Sequence, residues 1–293
     1  MRTRGICEFC DRVRAFSVRL FLRMWIGRFL KGYLDALLER RGQMRTSLAD
    51  PGAVRKSLAC LFPRDVGHRL VRLGGDHDGG YLVPDDLDGL SACFSPGVSD
   101  VADFERDLAQ RLGIRCFLAD ASVEGPPVDD PHFTFVRKFL GTSTGPQTMR
   151  LSDWVTSRVA AADYDLLLQM DIEGAELDVI LDTPAEVLRR FRIIVVELHQ
   201  LHEVFTVNGN RIYERFLHHL TRDHTPVHLH PNNCCGVETH FGISIPRVLE
   251  LSLLRNDRFT WDRPTKSPTH PLDRRNIASS PDLILSDVFF DAA

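Results

Sequence analysis

The sequence predicts an α/β fold: a doubly wound, Rossmann-like parallel sheet, preceded by a helical extension. Three observations carry this. Apolar runs of strand length alternate with segments of helical period from about residue 92 to residue 230. Those runs are apolar without strict alternation, as strands buried on both faces of a parallel sheet must be. Several of them end in an acid, at Asp120, Asp171 and Glu197.

Composition narrows the functional classes. A formal net charge of −4 argues against general nucleic-acid binding. The charge is uneven: residues 1–45 hold ten Arg and one Lys against four acids, so that head is +7 and the remainder −11. A basic head on an acidic body reads as a docking arm. Seven scattered Cys, an odd number, suit a reduced, cytoplasmic protein rather than a disulfide scaffold. Cys7 and Cys10 form a lone C-x-x-C with no second pair, so no zinc site is expected there. Cys234 and Cys235 read as two small apolar side chains beside a turn.

In chain order, residues 13–38 mix apolar and basic residues at helical spacing. Arg19, Arg23, Arg28 and Lys31 interrupt any run near the ~20 residues needed to span a bilayer. Two readings stay open for residues 1–45: peripheral contact with an anionic membrane, or packing on the main domain or a second subunit. Residues 46–67 read as a linker with a short helix. The catalytic domain is expected over 68–255 and a wrapping tail over 256–293.

Residues 69–83 give two strand-like runs around a Gly/Asp-rich turn, a hairpin signal. Asp76-x-Asp78-Gly79-Gly80 resembles the start of a calcium loop but lacks the twelfth-position Glu. Gly79 and Gly80 can instead let backbone approach a cofactor. Residues 92–100 are a strand and turn holding Ser95 and Gly97. The following helix places Phe104, Leu108 and Leu112 on one face. Strand, turn and helix N-terminus form the geometry of a nucleotide-type cofactor loop. The next strand ends at Asp120, 23 positions after Gly97. That is close to the ~20 expected of an acid that holds ribose hydroxyls.

Residues 132–136 are a third strand, after which Phe139-Leu140-Gly141 can face an adenine. A helix over 151–162, capped by Ser152 or Asp153, leads to the fourth strand, 166–170, and Asp171. Its helix is expected to turn Ile180 and Leu181 inward. The fifth strand, 192–199, carries Glu197 and His199. A helix over 211–222 and a sixth strand near 227–230 follow. Residues 241–245 and 248–254 are expected to complete the sheet, with 283–285 as an edge strand.

Parallel strands gather their carboxyl ends on one edge, where open α/β sheets bind ligands. Asp120, Asp171, Glu197 and His199 are expected there, with His230, Asn232 and Asn233 as further candidates. Adjacent strands lie ~4.8 Å apart, so Asp171 and Glu197 can reach one point and share a proton or a divalent metal such as Mg²⁺. His199 is the candidate general base, because imidazole titrates near neutrality. Glu173 is the nearer of the two helix-start acids to the site; Glu176 reads as favouring the helix N-terminus.

These residues resemble a family. Gln169-Met170-Asp171-Ile172-Glu173-Gly174-Ala175-Glu176 looks like the signature of the FkbM-type S-adenosylmethionine-dependent methyltransferases. Residues 78–84, residues 95–100 with Phe104-Glu105, and Val196-Glu197-Leu198-His199 are similar to further stretches of that group. The resemblance spans about residues 68–285. It implies a class I methyltransferase fold, S-adenosyl-L-methionine as donor, and O-methylation of a hydroxyl on a sugar, glycan or natural product. The cofactor set is then Gly79, Gly80, Ser95, Gly97, Asp120, Ala121, Ser122 and Asp171. His199 and Glu173 are catalytic, and Asp171 with Glu197 are the metal pair. The glycine-rich D-x-G-x-x-G loop is absent; Ser95-Pro96-Gly97 stands in its place. An NAD-dependent oxidoreductase and a non-catalytic membrane-docking module are the alternatives.

Overall fold

A computed structural model describes residues 33–42, 44–162, 165–265 and 269–290. The chain divides into two units, residues 1–47 and 48–293. In the first, residues 33–39 are helical, and Arg45 pairs with Asp35 at 2.7 Å. The rest of the basic extension, with Cys7 and Cys10, lies outside the described residues. Among the described residues no helix is long and apolar enough to cross a membrane.

The second unit is built on a seven-stranded sheet. Its elements begin with helix α1 (Pro51–Leu58) and a hairpin of β1 (Leu70–Leu73) and β2 (Tyr81–Pro84). Asp50 caps α1 by accepting from the Gly52 and Ala53 amides, and Pro51 takes the first helical position, where no amide is needed. Then follow β3 (Ala92–Pro96), α2 (Asp103–Leu112), β4 (Arg115–Ala119), β5 (Phe133–Val136), α3 (Leu151–Arg158), β6 (Leu166–Met170) and α4 (Glu176–Asp182). The chain continues through β7 (Phe191–Leu198), α5 (Val207–Leu220), β8 (His224–Pro231), β9 (Val237–His240), β10 (Ile243–Pro246) and β11 (Leu249–Arg255).

The sheet order is β8-β11-β7-β6-β3-β4-β5. Strands β7, β6, β3, β4 and β5 pair in parallel, and β11 runs antiparallel to both its neighbours. The doubly wound expectation holds, and its layers follow from the period of two along each strand. Leu166, Leu168 and Met170 of β6 point into a core shared with α1, α3, α4 and α5. Leu167 points the other way, into a core shared with α2 and the β1–β2 hairpin. Each fully buried leucine contributes roughly 1.5–3 kcal/mol of transfer free energy. That preference for burial on both sides makes β6 central.

Several expectations need correction. Residues 241–245 do not join the sheet. β9 and β10 pair only with each other, around Phe241 and Gly242, which both have positive φ. Two such residues make the tight turn that suits a hairpin's twist. Residues 283–285 form no strand. Helix α3 begins after Arg150 and has no side-chain cap from Ser152 or Asp153. Helix α4 buries Val179 and Ile180, whereas Leu181 is exposed. Cys234 and Cys235 are joined to each other in a disulfide, on an exposed loop.

Candidate active site

The carboxyl ends of β3, β4 and β6 converge. Gly97, just past β3, has φ +86°, and a Cβ there would run into the Asp171 carbonyl oxygen. Its amide donates to the Ala119 carbonyl at 2.8 Å, while the Asp171 amide donates back to Pro96 at 3.4 Å. Three strand ends are therefore locked in backbone contact, which only glycine permits. Asp120 closes the arrangement. One of its oxygens accepts from the Ser99 amide at 2.9 Å, and the other from the Ser122 amide and hydroxyl at 2.7 and 2.6 Å. A cavity of about 510 Å³ opens between these loops, within the roughly 300–1,000 Å³ of small-molecule sites.

Gly79, Gly97, Asp120, Ser122, Asp171 and Glu173 all line that cavity, as do Phe139 and Leu140. Gly80, Ser95, Ala121, Glu197 and His199 are not among its lining residues. Gly80 packs on the Gly75 carbonyl and the Arg72 guanidinium. Ser95 is fully buried in β3, so its hydroxyl works through its neighbours instead of reaching the cavity.

Beside the cavity lies a cluster of acids around His199. Its Nδ1 is 3.0 Å from Glu176 Oε1, and its Nε2 is 3.3 Å from Glu173 Oε2. Asp171 and Glu197 are each 3.9 Å from Nε2. Burial lowers the His199 pKa, but the Glu176 hydrogen bond and the surrounding carboxylates outweigh it, leaving the imidazole raised above its ordinary value. Burial pushes Asp171 up to about 7 against the pull of His199, with Glu173 and Asp78 adding to the rise. Burial, then Asp171 and Glu250, lift Glu197 well above the carboxylate range. The buried Tyr81 hydroxyl sits 3.3 Å from Asp171 and 3.5 Å from Glu197, bridging the two. Glu197 also accepts from the Asn232 amide at 2.8 Å. Asn233 instead ties residues 277–281 to the loop after β8. His230 stands 3.9 Å from Asp273.

Two groups of potential metal ligands occur among the described residues. Asp171 falls with Glu173 and His199, and Glu197 with Asp78 and Glu250. The expected metal pair is thus divided between them.

Sequence reasoning missed Glu176 as a structural anchor. Fully buried, it accepts from the Ile172 and Gly174 amides at 3.0 and 3.1 Å and still reaches His199. Its oxygen holds a turn in which Glu173 and Gly174 have φ +57° and +106°. Glu105 and Gln169 were missed too. The Ser95 hydroxyl contacts both the Glu105 carboxyl and the Gln169 carbonyl oxygen, the latter at 2.6 Å. A hydroxyl has one proton, so the second contact needs either a proton on Glu105 or the Gln169 amide turned to donate. Burial favours the first, raising Glu105 to about 7 against the hydrogen bond from Ser95, which lowers it. An acid on the apolar face of α2, between Phe104 and Leu108, was the available signal.

A pH prediction follows for Glu105. Its folded pKa exceeds the unfolded value, so its contribution is complete below about 4.5 and fades as pH rises through about 7. The loss is on the order of 3 kcal/mol by pH 8. Glu105→Gln keeps a donor to Ser95 and cannot ionise. Urea titrations at pH 5 and pH 8 should show the wild type losing stability and the variant losing markedly less; parallel losses would refute the protonated Glu105.

Residues 109–224 match the family described as Methyltransferase FkbM domain, which bears out the resemblance read from the sequence. No curated protein matches. Among solved structures, precorrin-6y C5,15-methyltransferase from Geobacter metallireducens GS-15 is 11% identical, covering 72% of this chain and 93% of its own, with a TM-score of 0.31. The plantazolicin methyltransferase BpumL, in complex with SAH and a monoazolic desmethylPZN analog, is 10% identical, covering 57% of this chain and 76% of its own, with a TM-score of 0.28. The fold is of the α/β, Rossmann-like class I methyltransferase class; the sheet order and the family match carry that statement.

Proposed function

We propose that this chain is an S-adenosyl-L-methionine-dependent methyltransferase acting on a hydroxyl of a small-molecule acceptor, a sugar, glycan or natural product. The observation that carries the reading is the shared cavity: Gly97, Asp120 and Asp171, from three different strand ends, line one space of about 510 Å³. The residues present fit the donor. Gly97 lets the ends of β3 and β6 meet and its backbone lines the cavity, and Asp120 is placed for ribose hydroxyls. Phe139 and Leu140 offer an apolar wall for a base. Bound there, the donor supplies an electrophilic methyl on a sulfonium centre.

The chain's own groups do the rest. The acids around Asp171 favour a positive charge nearby. His199 Nε2, steered by Glu176 on the opposite ring nitrogen, is the group that takes the acceptor proton. Asp171 and Tyr81 orient the acceptor oxygen, since in-line positioning removes much of the barrier. Because the His199 pKa is raised, it becomes a free base only as pH rises through a value above 6.5. The turnover should rise over the same interval.

Calorimetry with S-adenosylhomocysteine and NADH, together with turnover, tests this. The wild type should bind the first ligand and not the second. Asp120→Ala should weaken that binding about 10- to 100-fold through lost charged hydrogen bonds. His199→Ala should keep it while kcat falls about 10²- to 10⁴-fold. NADH binding in place of S-adenosylhomocysteine would overturn the donor assignment. Full turnover in His199→Ala would overturn the base.

A further inference from the structure

Cys234 and Cys235, neighbours in sequence, are joined to each other after β8, and both are exposed. A crosslink stabilises mainly by closing a loop of the unfolded chain, and more so the longer the loop. This one encloses no intervening residue, so it adds little to stability. The buried alternative is left open: Cys93 and Cys116 are register partners on β3 and β4, and both are free thiols. Among the described residues, then, the oxidised pair is the one that solvent reaches, not the one inside the core. Exposed disulfides of this kind are the labile ones, open to attack by a thiolate.

The loop is pinned on both sides of the pair. Before it, the side-chain oxygen of the buried Asn232 accepts from the Cys234 amide at 2.9 Å, and its nitrogen donates to Glu197 at 2.8 Å. After it, the Gly236 carbonyl accepts from the Arg247 amide at 3.0 Å. The disulfide closes a small ring that takes in the Cys234–Cys235 peptide and fixes the torsions on either side of it. Opening the ring frees those torsions between the two anchors. Holding them then costs conformational entropy comparable to what one hydrogen bond returns, and the Cys234 amide is the nearest bond to give way. We propose that Cys234 and Cys235 are a reversible redox site for small-molecule thiols and disulfides, and that its state sets how firmly Asn232 holds Glu197. In oxidation, one cysteine thiolate attacks a sulfur of an external disulfide such as glutathione disulfide, forming a mixed disulfide and releasing one external thiolate. The second cysteine thiolate attacks the first cysteine's sulfur, closes the ring and releases the other. Two electrons pass from the pair to the external disulfide, and the two cysteine protons end on the released thiols. Glu197 lies 3.5 Å from the Tyr81 hydroxyl and 3.9 Å from His199, so the coupling ends in the acid–histidine group beside the cavity. It stands on these contacts, independently of the methyl-transfer reading.

The test equilibrates the full chain with reduced and oxidised glutathione over a series of ratios, then quenches with acid, alkylates and maps the peptides by mass spectrometry. The peptide holding Cys234 and Cys235 should pass from unalkylated to doubly alkylated as the buffer becomes reducing, and return when it becomes oxidising. On the same samples, hydrogen exchange at the Cys234 amide should quicken about 10-fold on reduction, the equivalent of one hydrogen bond. The Asn232 side-chain amide, followed by NMR with isotope-labelled asparagine, should shift over the same interval. The double variant Cys234→Ser with Cys235→Ser should show the reduced-state behaviour in every buffer. Cys60→Ser, at the half-buried free cysteine, should keep the full response. A pair that stays alkylatable at every ratio, or never becomes so, would overturn the redox site. Reduction that leaves the Cys234 and Asn232 amides unchanged, or a response that survives in the double serine variant, would overturn the coupling to Glu197.

Discussion

Gly97→Ala is expected to lower the melting temperature by roughly 5–15 °C and to abolish S-adenosylhomocysteine binding. Two costs add. A side chain in the left-handed region costs ~1–2 kcal/mol. The new Cβ also meets the Asp171 carbonyl oxygen, a backbone atom that cannot rotate away, and forced overpacking costs ~1–3 kcal/mol more. In a domain of this size each kcal/mol shifts the midpoint by about 2–4 °C. The ligand loss arises because relief requires β3 and β6 to move apart, which carries Asp171 out of register with Asp120. Thermal unfolding and calorimetry read both effects. A variant with wild-type midpoint and affinity would show that the strand ends are not locked here.

Glu176→Ala should have a comparable effect on stability and a larger one on turnover. The substitution strands the Ile172 and Gly174 amides and the His199 Nδ1. Breaking a buried charge pair costs ~3–5 kcal/mol, or roughly 10 °C. Turnover should fall further than stability, because the Glu173–Gly174 turn and the His199 ring lose the same anchor at once. Glu176→Gln separates the two roles. It can still accept the amides, so most stability should return. It no longer favours the imidazolium, so the rising limb of the pH–rate profile should move to lower pH. An unmoved limb in Glu176→Gln would mean that another group titrates in turnover.

The legible part of this protein is the part written in strand ends. Asp120 and Asp171 could be placed because each closes an apolar run, and Gly97 because a turn follows its strand. Glu176 was hidden by its position: an acid in the first turn of a helix has a sufficient local explanation, and nothing nearby in sequence names His199 as its partner. Glu250 was hidden by topology. β11 arrives last but sits beside β7, so a residue 53 positions after Glu197 becomes its direct neighbour. The hairpin of β9 and β10 was misplaced because alternation is the same whether a strand joins a seven-stranded sheet or pairs alone.

That late strand also sets an order of assembly. β7 and β8 must come to rest with a gap one strand wide between them, and nothing before residue 249 can fill it. Until the ribosome has released that segment, the apolar β7 keeps an open edge, the kind of surface that recruits foreign strands. The nascent domain is therefore most vulnerable to aggregation late in its synthesis, when nearly all of its core residues already exist.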